Sequence, residues 1–312
     1  MKKILSAILR RRFKNLHRSV TVPQDRETVE TAKPPGARHF TQLKLGVNES
    51  GLLSLVIFLL ALSLAALGAE LPSVLVYTHN STVTLDGKKA YIHDNIPECV
   101  KAIEKIGAEN HFKVVHSDDP GVFTNANLKD YKAIIFANSN NKAFDNEQER
   151  KAFQDYIHHG GGFVGIHSAS GSERDWPWFW KLLGSSFAWH PRLQKFTIHV
   201  KDRNHPATKF FETDTWSWED EFYVMKEKPT GVHVLLEGDI KALKEIDENR
   251  LKALAGGKDS NSDTLMLPLA WYHQFEGARS FYTALGHKKE YYSDPLFVKH
   301  LTGGILWAAK LD

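Results

Sequence analysis

A doubly wound α/β sheet, mostly parallel, is the fold class this sequence predicts, and three observations predict it. Apolar strand-like segments alternate with amphipathic helical ones from residue 74 to residue 166, a βαβ order that favours parallel strands and helices on both faces. A helical pattern over 145–159 runs into Gly160-Gly161-Gly162 and the apolar run Phe163-Val164-Gly165-Ile166, as a buried central strand would. After about residue 190 the pattern shifts to alternation of apolar and polar residues, which adds antiparallel strands in the C-terminal half.

The elements follow in order. Val74-Leu75-Val76-Tyr77 is a first strand, and 92–106 reads as a helix with Ile96, Val100 and Ile103 on one face. Strands are expected at 111–115 and 132–137. The helix over 145–159 has Asp145 at its cap position and Phe153, Tyr156 and Ile157 as its apolar stripe. Later strands are expected at 196–200, 232–236, 267–272 and 279–285, the last two forming a hairpin around Glu276-Gly277. A helix over 296–310 closes the chain. The sequence shows no internal repeat, and the polar stretch 256–263 reads as a surface loop.

Composition divides the 312 residues into three parts. Residues 1–50 hold 11 Lys or Arg against 4 Asp or Glu with little apolar periodicity, so they are expected to be a disordered basic leader or to follow from a mis-assigned start. Residues 51–70 contain an uncharged run over 52–68 followed by small residues, the pattern of an export signal, with an uncleaved membrane anchor as the alternative. Residues 71–312 form the globular domain, expected outside the cytoplasm. Residues 51–312 hold 29 basic and 33 acidic residues, so the formal charge of +3 becomes about −4 there, and nucleic acid is not an expected partner. The single cysteine, Cys99, forms no intramolecular disulfide and sits in a helical pattern as a core filler.

The strand that ends at His167 carries the most chemical information. Ligands of open α/β sheets gather beyond the carboxyl ends of the strands, and the glycines permit a sharp turn like a nucleophile elbow. An elbow presents Ser or Cys, whereas this one presents His167. His93, His190 and His287 fall in loops within reach of the same edge. Convergent histidines serve metal ligation or proton transfer. The first reading assigns His167, His190 and His287 to a zinc-like divalent ion with one position left for water or substrate. The second assigns His167 and His93, with Glu221, to acid–base catalysis. Neighbouring residues on a strand face opposite ways, so only one of Asp220 and Glu221 can meet a given pocket. Glu221 is taken as the reacting carboxylate, and Asp220 as a substrate contact or a loop-fixing group. All eight tryptophans follow the elbow, and flat aromatic faces stack well on sugar rings, which makes Trp176 and Trp189 candidate substrate contacts.

Three groups of fragments also resemble a known family. They are Tyr91-Ile92-His93-Asp94-Asn95-Ile96, then Gly161-Gly162-Phe163-Val164-Gly165-Ile166-His167-Ser168-Ala169, and a later series. That series comprises Phe187-Ala188-Trp189-His190-Pro191, His205-Pro206, Asp220-Glu221-Phe222-Tyr223, Pro268-Leu269-Ala270-Trp271, Arg279-Ser280-Phe281-Tyr282 and Leu285-Gly286-His287. Together they resemble the ThuA-like, or trehalose utilisation, family over nearly all of 72–310. The resemblance implies a class I glutamine amidotransferase-like (flavodoxin-like) fold and a role in carbohydrate catabolism. With His167 where those amidotransferases carry cysteine, thioester chemistry on glutamine is excluded. The expected function is action on a sugar or oxidised sugar derivative through a histidine-rich, metal-binding or acid–base pocket, as a hydrolase, isomerase or lyase. The alternative is a non-catalytic carbohydrate-binding protein that captures its ligand with tryptophans.

Overall fold

The computed structural model describes residues 70–84, 86–254 and 263–312. The leader, the 51–69 part of the apolar segment and nearly all of the 256–263 stretch lie outside the described residues. No helix among the described residues is long and apolar enough to cross a membrane.

The parallel half of the sheet follows the predicted order. Strands β1 (Ser73–Tyr77), β2 (Lys113–Ser117), β3 (Tyr131–Ala137) and β4 (Gly162–Ile166) are joined by helices α1 (Ile96–Glu109), the short α2 (Asn125–Leu128) and α3 (Glu147–His158). Helix α1 starts four residues later than its apolar pattern suggests, with a proline in its first turn, and this leaves residues 92–95 as loop. Asn146, rather than Asp145, caps α3, its side chain accepting the Glu149 amide.

The C-terminal half supplies α4 (Pro177–Leu183), β5 (Phe187–Trp189), β6 (Gln194–Val200), β7 (Thr215–Asp220), β8 (Val224–Met225), β9 (His233–Asp239), α5 (Glu248–Leu254), β10 (Met266–Phe275), β11 (Ala278–Thr283) and α6 (Pro295–Ala309). The main sheet has nine strands in the order β2-β1-β3-β4-β11-β10-β9-β6-β7, and β5 pairs with β8 separately. The first five strands of that order are mutually parallel, and the rest pair antiparallel. The β10–β11 hairpin turns at Glu276 and Gly277, both at positive φ (48° and 95°), as a two-residue turn matched to the strand twist requires.

Helices cover both faces, and the pleat of β4 shows which. Gly162 faces α6 so closely that a side chain there would collide with the Ala308 backbone. Phe163 points to the opposite face, where it meets Phe153 of α3 and Phe179 of α4. Phe136 of β3 joins them, with Tyr77, Phe123 and Phe144 extending the aromatic core. Cys99 is fully buried, and burial pushes its thiol up to about 12, which leaves it inert as a nucleophile.

Candidate functional site

The site is built at the carboxyl end of β4. His167 follows that strand at φ 50°, a conformation uncommon for a residue with a side chain, and opens a 3-10 turn over His167–Gly171. The turn is held from behind, because the Tyr282 hydroxyl donates to the His167 carbonyl at 2.9 Å and lies within hydrogen-bond distance of Ser170 Oγ at 2.8 Å. The backbone there is the sharp elbow read from the glycine run, and it aims an imidazole instead of a thiol.

The ring orientation of His167 is set by its partners. Its Nδ1 lies 2.7 Å from the Ala284 carbonyl, which only accepts, so Nδ1 carries the proton and donates. The Nε2 lone pair of the neutral ring then faces the pocket, where the Tyr223 hydroxyl donates to it at 2.9 Å. A backbone carbonyl that fixes the tautomer in this way is the usual support behind a metal-binding histidine.

Three other side chains converge on the same point. His93 comes from the loop between β1 and α1, Glu221 from the end of β7, and His287 from the loop after β11. One ligand atom from each of His93, His167, Glu221 and His287 lies within 4.8 Å of every other. The His93 ring centroid is 4.8 Å from that of His167 and 5.3 Å from that of His287, edge to face in both cases. Glu221 Oε2 stands 3.2 Å from His287 Nδ1 and 3.5 Å from His167 Nε2.

Charge state follows from these surroundings. Burial, reinforced by the neighbouring His167 and His287 imidazoles, pushes His93 down to about 2, so its ring is neutral across the physiological range. Burial opposes ionisation of Glu221, but the His167 and His287 imidazoles that face it overcome that and hold the carboxyl well below the usual range. His287 is lowered by burial and raised more strongly by Glu221, with a net upward shift.

The donor set fits a divalent metal. His93 Nδ1 is buried without a hydrogen bond, and buried polar nitrogens are seldom left so unless something else engages them, while His287 Nδ1 faces only the Glu221 carboxylate. Ligands about 2.0–2.2 Å from an ion lie at most about 4.4 Å apart, so a contraction of a few tenths of an ångström would close this group on one. Three imidazoles and a carboxylate suit zinc and the other late first-row metals better than magnesium or calcium.

The remaining candidates fall into different places. His190, just after β5, lies across the carboxylate, with Nε2 3.5 Å from Glu221 Oε1, and is more exposed than the clustered histidines. Its Nδ1 donates to the Pro191 carbonyl, leaving Nε2 free to exchange protons. Asp220 is wholly buried, and its two oxygens accept from Trp218 Nε1 and from the amides of Glu221, Gly286 and His287. Those four donors fill both oxygens, so Asp220 fixes a loop and does not offer itself to a sugar. Trp176 packs against Phe144, Trp178 and Phe179 with Arg150 over its face, which makes it cover for the sheet. Trp189 is half-buried beneath the Arg250 guanidinium. Tyr223 escaped sequence reasoning, since a tyrosine two residues past a carboxylate carries no spacing signal.

Comparison with known proteins places this architecture. A model of the ThuA family, described as trehalose utilisation, matches residues 82–308. The chain belongs to the ThuA family. Its membership links it to carbohydrate utilisation. A ThuA-like protein from Bacteroides uniformis aligns with 77% of this chain and 92% of its own at 23% identity and a TM-score of 0.57. Another, from Parabacteroides merdae, aligns over 77% and 90% at 18% identity and a TM-score of 0.55. At those identities the likeness establishes the shared ThuA fold. No curated protein matches the chain in sequence.

Proposed function

We propose that this ThuA-family chain is a metal-dependent enzyme that acts on a sugar or oxidised sugar derivative. His93, His167, His287 and Glu221 hold the ion, which when bound supplies a Lewis acid for a sugar hydroxyl or carbonyl oxygen. His167 is locked in the ligating tautomer by Ala284, and Asp220 holds the His287 loop. His190, at the open side of Glu221, is the group placed to take or return a proton from the substrate. Proton transfer beside a polarised oxygen is the step shared by isomerisation, elimination and hydrolysis of such sugars.

The observation that carries this reading is the convergence of His93, His167, His287 and Glu221, one ligand atom of each within 4.8 Å of every other, with His93 Nδ1 buried and without a hydrogen bond. Export through residues 51–70 belongs to the same proposal, on the strength of the uncharged run over 52–68.

Elemental analysis of the purified protein, beside His167→Ala and His287→Ala prepared identically, tests the metal. Near-stoichiometric metal in the parent and none in either variant is expected. No metal in the parent after reconstitution with zinc, manganese, iron and cobalt would rule the reading out.

A further inference from the structure

Arg174 is half-buried and, among the described residues, makes no ion pair. It follows the elbow turn by three residues, and its Nε donates to the Gly171 carbonyl at 3.0 Å, which pins the arm beyond the carboxyl end of β4. The acids on either side of it in sequence, Glu173 and Asp175, both turn to Arg150 instead. The two Nη groups of Arg174 are left without a hydrogen-bond acceptor in the protein. Taking a guanidinium partly out of water with no counter-charge is costly, and burial lowers Arg174 from its ordinary value. Charged groups that lose water are normally paired, so the missing partner is to be sought outside the chain.

The position is the rim of the histidine group. The guanidinium carbon lies 5.6 Å from the centre of the Phe187 ring, and that ring is 4.5 Å from Tyr223 and 5.9 Å from His190. Tyr223 in turn donates to His167, and His190 faces Glu221. Arg174 therefore stands one aromatic ring away from both the ion-holding group and the residue placed to move a proton. Gly171 keeps the spot open, since a side chain there would strike Asn140 Oδ1 and crowd Arg174 Nη2.

We infer that Arg174 is an anion subsite for a carboxylate of the substrate, so that the oxidised sugar taken at the histidine group is a sugar acid. The planar Nη pair matches two carboxylate oxygens. One guanidinium carries one positive charge, which a carboxylate balances and a phosphate dianion exceeds. The inference rests on the sugar reading above and deepens it by naming the substrate class.

Calorimetric titration of the zinc-reconstituted full chain with D-glucose, D-glucuronate, D-galacturonate, D-gluconate and glucose 6-phosphate tests it. At least one of the three sugar acids should bind tenfold or more tightly than glucose. Arg174→Gln should erase that advantage, and Arg174→Lys, which keeps the charge without the fork, should retain part of it. Zinc content and thermal melts matching the parent's show that the variants fold with the ion-holding group intact. Sugar acids that bind no better than glucose, or a gain confined to glucose 6-phosphate, would overturn the carboxylate subsite. So would an advantage that survives in Arg174→Gln, the result expected of a carboxylate held by the ion alone. Each of these leaves the sugar reading standing, whereas failure of every sugar to bind would overturn both.

Discussion

The carboxylate of Asp220 accepts the backbone amides of Gly286 at 2.8 Å and His287 at 3.3 Å, which ties the residue before one candidate ligand, Glu221, to the loop that carries another. Asn95 makes the matching link on the other side, its amide nitrogen donating to the carbonyls of Gly286 and His287 from two residues past His93. Three loops from distant parts of the sequence are thus held in mutual register by two buried polar side chains.

Replacing Asp220 with asparagine keeps the shape and turns an all-acceptor group into one with an amide that faces donors. Because hydrogen bonds to a charged group contribute about 1.5–3 kcal/mol each, and some of the four can be remade, a loss of roughly 2–3 kcal/mol is expected in urea unfolding. Metal affinity should fall about 10–100-fold, as for other groups that orient a ligand. Unchanged affinity in Asp220→Asn would separate the loop from the metal site.

His190 and the clustered histidines should part company under mutation. His190→Ala leaves the four close donors intact, so metal content should match the parent's while kcat falls by about 10²–10⁴, the range for loss of a proton-transfer group. Metal analysis and single-turnover rates on the same preparations make the comparison. Loss of metal in His190→Ala would move this residue into the ligand set.

Where chemistry was legible in the sequence, a backbone requirement made it so. The run of glycines before Phe163 and the polar stop at His167 can be read directly because few other arrangements need them, whereas Glu221 falls just past the end of β7, where strand parity no longer orders the side chains. Helix α4 was not legible, although Pro177 in the first turn and Gly184 at φ 106° mark its two ends. Gly184 is needed there, since any side chain would strike the Trp271 indole, whose nitrogen donates to Leu183. The start of α1 was placed too early because the apolar pattern ran through Ile92, which the structure leaves exposed. The order of strands, and with it the meeting of His93 with His287, depends on long-range pairing that no local pattern encodes.

Arg150 and Glu173 offer a test of the scaffold. Glu173 has a fully buried side chain; its Oε1 accepts the amides of Ala143 and Phe144, and its Oε2 lies 2.5 Å from the Arg150 guanidinium. Arg150→Met strands a carboxylate that burial already pushes upward, so a loss of about 3–5 kcal/mol is expected from denaturant midpoints. Adding Glu173→Gln to that variant should recover a large part of the loss, because the amide carries no charge to bury. Equal stability of the single and double variants would show that charge burial is not the source.

Metal binding should weaken in acid through one group in particular. His93 is held neutral down to about 2, and Glu221 is ionised well below the usual carboxylate range, so neither gains a proton under mild acid. His287 is different: Glu221 outweighs burial and raises it above its ordinary value, so without metal it keeps its proton to higher pH than a free histidine. An ion must displace that proton, because a ligating imidazole nitrogen has to be free. Affinity should therefore be flat above the raised value and fall about tenfold per pH unit below it, with close to one proton released per ion bound. Titrations in buffers of different ionisation enthalpy count that proton directly. His287→Gln should flatten the profile at lower overall affinity, and a slope unchanged in that variant would assign the proton to another residue.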